Sequence, residues 1–397
     1  RCLAAAREVG EALVRGQLHS GGWYYRIEFA ADRRGKYQYR VEGGSSPAAA
    51  GPAGWETWRM RRNQGNQSML DDDTTQSALR FLMRLDRALG GKDREVRGAM
   101  EYGLRALLGT QYPVGAWSHN FDAFPDPGPE EEHYPVLQAS YPDEWSRTWP
   151  KAWEGCYHLN DNITTDCIRT LLLAHELHGS AAGLAGARRG GEFLLQAQMP
   201  EPQPAWCQQY DREMRPVWER KFEPPAITGG ESQGAMEVLL ALHAATGDER
   251  FLKPLPRALD YLEKSQTAPG KLARYYELRT NRPLYFTKDY RLTDDSGDVP
   301  DHYAFTVGSR LERIRRQYEA AVAGKPPRAS EPPSGARIVR ILAEANRDGL
   351  WLEEGVVRDE QGRKVKPEQG VLNMSTVTGN MRALCSWLQA RRGGGSR

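Results

Sequence analysis

Apolar residues recur at intervals of three and four along most of this chain, and runs that alternate apolar with polar are scarce, so the pattern predicts helices. In TTQSALRFLMRLDRAL, residues Ala78, Leu79, Leu82, Leu85 and Leu89 fall at helical spacing, as do Ile168, Leu171, Leu172 and His175 further on. The same reading places helices over about 2–17, 74–89, 93–109, 162–178, 185–198, 231–246, 249–265, 308–323, 335–347 and 376–391.

These helices come in pairs, and several pairs end on a related loop. Gln17 through Trp23 is echoed by Gln111 through Trp117, by Gln198 through Trp206, and more faintly by Gln266 through Tyr275. Helix pairs of similar length that end in a glutamine and aromatic loop are the mark of a repeat fold whose core lies between neighbours. The expected architecture is all-α: one α/α toroid over 1–397, with inner and outer helices and long loops gathered at one mouth. A plain irregular helical domain is the alternative. Residues 24–70, with GGSSPAAAGPAG, read as a mobile surface insertion followed by a Trp55, Trp58, Arg59, Arg61 and Arg62 group, and GKPPRASEPPS at 324–334 reads as a Pro-rich linker.

The openings of the inner helices are also alike: Asp71-Asp72-Asp73-Thr74-Thr75, Asn160 through Thr165, Glu231-Ser232, and Asn373 through Thr376. Capping of the free amides of a first turn explains one such residue in each place. It does not explain three consecutive aspartates, whose repulsion asks for water, a cation or a basic partner. Part of this cluster is therefore expected at a functional mouth.

Composition narrows the choices. Lys plus Arg number 54 against 52 Asp plus Glu, a net charge of +2, which argues against a nucleic-acid partner. The five cysteines have neither zinc nor disulfide-framework spacing and read as small buried residues. No apolar run is long enough to span a membrane. The chain opens at Arg1 on a helix already under way, which reads as a trimmed start.

Charge gathers in two stretches. Residues 206–232, WCQQYDREMRPVWERKFEPPAITGGES, alternate Arg212, Arg215, Arg220 and Lys221 with Asp211, Glu213, Glu219 and Glu223, and read as an active-site loop. Residues 272–290 interleave Arg274, Arg279, Arg282 and Lys288 with Tyr275, Tyr276, Tyr285, Phe286 and Tyr290, and suggest a short β-ribbon with cations on one face. Such cations suit an acidic ligand with repeated carboxylates. Between them, 118–160 carries Glu130-Glu131-Glu132 and Trp145, Trp149 and Trp153, suited either to packing or to stacking on sugar rings.

At these residues the chain resembles the pectic acid lyases of polysaccharide lyase family ten. The likeness rests on DDDTTQSALRFL at 71–82, QYPVGAW at 111–117, NDNITTD at 160–166, WCQQYD and RKFEPPAITGGES within 206–232, and RYYELRTNRPLYFTKDY at 274–290. The resemblance implies cleavage of polygalacturonate, or a related uronate polymer, by β-elimination. It places the base on Arg220, substrate ligands on Arg274 and Lys288, and calcium and acidic ligands near Asp72 and Asp161. Arg282, Glu223, Trp117 and Trp206 complete the expected substrate-binding set. The protein is further expected to be secreted or periplasmic and monomeric, with an acidic polysaccharide as its partner and no membrane. Two rivals remain open: a uronate-binding toroid without catalysis, and a terpenoid cyclase, whose toroids share the Gln-to-Trp loops and an Asp-Asp-Thr motif.

Overall fold

A computed structural model describes residues 2–43, 64–125, 134–152, 155–300, 303–325, 332–358 and 363–393. The chain forms two compact units, Arg1–Pro327 and Arg328–Arg397, divided inside the Pro-rich stretch. Where the sequence suggests one domain over 1–397, the contacts thus group into two.

The first unit holds α1 (Cys2–Gly16), the short α2 (Ala31–Arg34), α3 (Thr74–Ala88), α4 (Arg94–Gly109), α5 (Ile163–His178), α6 (Ala181–Ala197), α7 (Gly229–Thr246), α8 (Leu255–Lys264) and α9 (Leu311–Val322). The second holds α10 (Gly335–Ala343) and α11 (Met374–Gly393). Each of the expected helices is present, and the larger differences have local causes. Ser180 caps α6 through the Gly183 amide, so that helix starts at Ala181 rather than 185. Pro254 cannot donate to a helix ladder, so the expected helix over 249–265 becomes a 3-10 turn, Glu249–Leu252, followed by α8.

Within the first unit, α3 packs on α5, α5 on α7 and α7 on α9, while α4, α6 and α8 pack outside them. This is an α/α toroid of inner and outer helices. Helix α7 is enclosed on most sides, with Ser232, Gln233, Ala235, Met236, Val238, Leu239 and Leu242 all buried. An apolar stripe is accordingly weak in its sequence.

The repeated loops are buried clasps. Trp23, Trp117 and Trp206 are buried, and their indole N–H groups donate to Leu13 O (2.8 Å), Leu107 O (2.9 Å) and Leu194 O (2.8 Å) near the ends of α1, α4 and α6. Their backbone amides donate to Thr75 Oγ1, Thr164 Oγ1 and Ser232 Oγ in the first turns of the following inner helices. The glutamines bind on both sides of these loops. Gln17 Nε2 donates to Gly21 O and Ala99 O, Gln111 Nε2 to Gly115 O and Gly186 O, and Gln198 Nε2 to Pro204 O and Pro254 O. Their carbonyl oxygens accept from Arg40, Arg189 and Arg257. In the second unit, Trp351 Nε1 donates to Ile341 O at 2.8 Å, a further copy of the clasp that the sequence repeat did not include.

Short ribbons tie the loops together. Strand β1 (Ser68–Met69) pairs with β2 (Asn120–Phe121), and β3 (Tyr157–His158) with β4 (Gln209–Tyr210), both antiparallel. Strands β5 (Ala226–Thr228), β7 (Tyr275–Glu277), β8 (Pro283–Phe286) and β9 (Leu292–Thr293) form one antiparallel sheet in that order, beside the pair β6 (Lys271–Ala273) and β10 (Thr306–Gly308). The expected ribbon is there, but it shows no cationic face. Tyr275, Tyr276, Glu277, Leu284, Tyr285 and Phe286 are buried, and Arg274, Arg279, Arg282 and Lys288 flank the strands. In the second unit, β11 (Leu352–Glu353) pairs with β14 (Val371–Leu372), and β12 (Val357–Arg358) with β13 (Lys364–Val365).

The stretch taken as a mobile insertion is anchored on both sides of its centre. Tyr39 is buried and bridges Leu18, Tyr25 Oη donates to Asp71 Oδ2 at 2.6 Å, and Gln38 N donates to Gly65 O. Residues 44–63, with Trp55, Trp58, Arg59, Arg61 and Arg62, lie outside the described residues, as do Glu130-Glu131-Glu132 and Trp153.

The clasp makes a stability prediction. Gln111→Ala strips two buried carbonyls of a donor and should lower the unfolding free energy by about 2 kcal/mol. Urea denaturation followed by circular dichroism reads it, and a loss below about 0.5 kcal/mol, the scatter of ordinary surface changes, would remove the amide from this account.

Candidate active site

Two matching turns build the acidic side of the mouth. Asp71–Asp73 and Asn160–Asn162 are 3-10 turns that lead into α3 and α5. In the first, Leu70 N and Asp71 N both donate to His119 O; in the second, Leu159 N and Asn160 N both donate to Gln208 O. Both turns then pass through two successive left-handed residues, Asp72 (φ 52°) and Asp73 (φ 59°), and Asp161 (φ 47°) and Asn162 (φ 63°). Asp and Asn are the side-chain-bearing residues that tolerate this conformation best, and the strain of about 1–3 kcal/mol per residue persists only where surroundings enforce it. The turns bring the carboxylates of Asp71, Asp72 and Asp161 together, with oxygens within 4.8 Å of one another.

Opposite them stands Arg220. Its Nη2 donates to Asp161 Oδ2 at 3.1 Å and to Glu223 Oε1 at 2.5 Å. Glu223 is fully buried; its Oε2 accepts the Arg220 amide at 3.0 Å, and its Oε1 also accepts Asn160 Nδ2 at 2.8 Å. Side chain and backbone of Arg220 are thus held by one carboxylate. Behind it, His158 Nε2 meets Glu219 Oε1 at 2.9 Å, and the His119 and His158 rings lie 4.1 Å apart. Burial, then His158, pushes His119 down to about 4, which leaves it neutral at ordinary pH.

A second guanidinium arrives from the other charged stretch. Arg274 Nη1 lies 3.7 Å from Glu231 Oε1, and its guanidinium sits 4.5 Å over the Tyr303 ring. Gln208 Nε2 donates to that same Glu231 oxygen at 2.8 Å, and Gln208 Oε1 accepts the Tyr275 hydroxyl at 2.9 Å. The two stretches therefore converge on one site.

The charges there do not balance. Asp71, Asp72, Asp161, Glu223 and Glu231 face two guanidiniums, Arg220 and Arg274. Burial, followed by repulsion from Asp71, pushes Asp161 up to about 7 in spite of Arg220. Burial and Asp71 raise Asp72 as well. Three hard oxygen donors carrying surplus negative charge are a donor set that suits a divalent cation of the calcium type. Burial lowers the proton affinity of Arg220, but Glu223 and Asp161 outweigh it and raise its pKa above the ordinary arginine value.

Among the residues expected from sequence, Arg220, Arg274, Asp72 and Asp161 meet in this way. The others do not all serve as expected. Trp117 and Trp206 are 0% exposed and have no face to offer a sugar ring; they close the clasps. Glu223 is buried and positions Arg220, with no oxygen turned to a ligand. Arg282 is exposed and held on Glu277 at 3.2 Å, outside the contacts of Arg220, and Lys288 is exposed with Asp298 at 3.8 Å. Asp71, Asn160, Glu231 and Tyr303 are additional members. For Asp71, Asn160 and Glu231 the signal was present in the matched openings of the inner helices; for Tyr303 it was contact across the chain, which spacing does not carry.

No curated protein matches this chain in sequence. Among solved structures, it is similar to a family 10 polysaccharide lyase from Cellvibrio cellulosa, at 16% identity and TM-score 0.54, over 81% of this chain and 95% of that one. It is similar to a mutant of that lyase in complex with trigalacturonic acid at 15% identity and the same TM-score, over 80% and 95%. These likenesses carry the fold. The family profile of pectic acid lyase matches residues 35–249, more than half of the chain and including both acidic turns and Arg220, so this chain belongs to the pectic acid lyase family and is a polysaccharide lyase.

Proposed function

We propose that this lyase cleaves polygalacturonate, or a closely related uronate polymer, by β-elimination, with Arg220 as the base. The observation that carries the reading is the sharing of Asp161: one of its oxygens accepts from Arg220 at 3.1 Å, and the same carboxylate belongs to the Asp71, Asp72 and Asp161 group. A uronate carboxylate beside that group would set its carbon-five proton next to the guanidinium.

The residues divide the work. Asp72 and Asp161, with Asp71, would hold calcium, which when bound supplies positive charge beside the uronate carboxylate. Arg274, held over Tyr303, offers a guanidinium fork to a carboxylate. Glu223 and Asn160 fix the aim of Arg220, which is to take the proton from carbon five. The electron pair left at carbon five forms the carbon four to carbon five double bond as the bond from carbon four to the glycosidic oxygen breaks, and that oxygen leaves with the bond's electrons and takes up a proton from solvent. The walls are charged and hydrogen-bonding, which disfavours the terpenoid cyclase, whose carbocations the guanidiniums would repel. Membership of the pectic acid lyase family supports a secreted or periplasmic location; none of the described helices is long and apolar enough to cross a membrane.

Three outcomes test the reading. Arg220→Lys keeps a cation against Glu223 and should stay folded while turnover of polygalacturonate, followed by ultraviolet absorbance of the unsaturated product, falls by roughly a thousandfold; wild-type rates in this variant would remove Arg220 as the base. Because Glu223 and Asp161 raise the pKa of Arg220, its base form grows as pH rises, and the rate should climb through the alkaline range to about pH 10. A profile peaking near pH 5–6 would point to another base. Chelation should stop the reaction, and Asp72→Asn or Asp161→Asn should raise the calcium concentration for half activity by roughly tenfold, the loss of about 1.4 kcal/mol of binding; activity indifferent to chelators would exclude calcium.

A further inference from the structure

Lys221, next to Arg220, is a cation to which the site described above gives no role. It is exposed, and its Nζ lies 3.4 Å from the centroid of the Tyr290 ring. Among the described residues no carboxylate forms a salt bridge with it. Arg220 and Arg274 differ in this respect, since Asp161, Glu223 and Glu231 already engage them.

The ring beneath Lys221 is placed by an unusual backbone. Tyr290 has φ 59°, a left-handed conformation that a bulky aromatic rarely adopts. A tight turn holds it there: Tyr290 N donates to Thr287 O at 2.8 Å, Thr287 N to Arg291 O at 2.9 Å, and Arg291 N to Thr287 Oγ1 at 3.1 Å. The ring centroid of Tyr290 lies 5.7 Å from that of Phe222, and Phe222 lies 4.7 Å from Tyr303. Each ring in this row carries a cation: Lys221 over Tyr290, Arg220 at 5.1 Å over Phe222, and Arg274 over Tyr303. A cation resting on an aromatic face keeps its charge for an incoming anion while its long side chain is restrained, so less freedom is lost on binding.

We propose that Lys221, seated on Tyr290, binds the carboxylate of a second uronate, adjacent to the one whose bond is cleaved, so that the site selects runs of acidic sugars. The proposal rests on the uronate-polymer reading above. Lys288, on which the resemblance placed such a role, is exposed and lies 3.8 Å from Asp298. An ammonium is a point charge, so the contact sets preference by charge and reach more than by bidentate geometry.

The test compares KM with kcat. On polygalacturonate, Lys221→Ala should raise KM about tenfold with kcat changed by less than about threefold, and the rise of KM with added salt should become shallower. Tyr290→Ala should raise KM in the same direction, since it removes the seat and leaves the charge. Lys264→Ala, at the end of α8, should leave KM and its salt dependence as they are. A binding measurement separates this proposal from the choice of base: in Arg220→Lys, calorimetric affinity for a galacturonate trimer with calcium should fall about tenfold on adding Lys221→Ala. Trimer affinity and KM both within about twofold of the parent would overturn the role of Lys221, even where the lyase turns over normally. Undiminished turnover by Arg220→Lys would overturn only the base, and the trimer affinities would still decide on Lys221. A wild-type protein that neither binds the trimer nor acts on polygalacturonate would overturn the substrate and Lys221 with it.

Discussion

At the end of three outer helices a buried glutamine gives its two amide hydrogens to carbonyl groups, one in its own loop and one at the next outer helix or its entry. A buried carbonyl left without a donor costs about 1–3 kcal/mol, so these amides decide whether the loops can be buried at all. The tryptophan after each glutamine then ties the same loop forward, through its backbone amide, to the first turn of an inner helix. Spacing between repeats and placement of the turns at the mouth are thus set by one arrangement, repeated. The left-handed pairs at Asp72-Asp73 and Asp161-Asn162 depend on that framework, because strained backbone stays in place only where its neighbours leave no alternative.

Their position creates the central electrostatic feature of the site. A pocket for an acidic polymer would be expected to be basic, yet five carboxylates here face two guanidiniums. The excess is localised on the acidic turns, where repulsion between Asp71 and Asp161 raises the latter to about 7, second only to burial as a cause. An arrangement of this kind would accept an acidic sugar only with added positive charge, and the oxygens of Asp71, Asp72 and Asp161 are gathered where such a charge could be held.

Periodicity alone revealed the helices, since α3 and α5 keep one apolar face; the repeat was visible because tryptophan and glutamine are rare enough for an echo to stand out. Trp351 escaped notice because Asn346 occupies the place of the glutamine, and its shorter amide accepts from its own turn, at Asp348 N and Leu350 N. The same tryptophans misled the reading of the site: a conspicuous aromatic in a loop suits sugar stacking, but an indole N–H that must reach a helix carbonyl is drawn inside. Glu223 misled in a similar way. Its charge suggested a ligand contact, whereas burial committed both oxygens to Arg220 and Asn160. Asp72 was legible because three consecutive aspartates repel one another, whereas Asp161 and Arg220 were reached through the resemblance of NDNITTD and RKFEPPAITGGES to the family. The row of rings from Tyr303 through Phe222 to Tyr290 was not, because it joins residues brought together only by the sheet and its turns.

Asp161 serves both sides of the site, and this ties the charge on the acidic turns to the proton on Arg220. The guanidinium keeps its proton because two anions hold it, Glu223 from within and Asp161 from the mouth. Glu223 is fully buried and bound by Asn160 as well, so its charge is fixed by the fold. Asp161 is one-quarter exposed and is the anion that an arriving group can reach. Whatever neutralises Asp161 removes one of the two charges that hold the proton, while the guanidinium, still bound to Glu223, keeps its aim. Glu223 thus supplies both the aim of Arg220 and the larger share of its raised proton affinity, Asp161 supplies a smaller share, and only that smaller share is open to change when the site is filled.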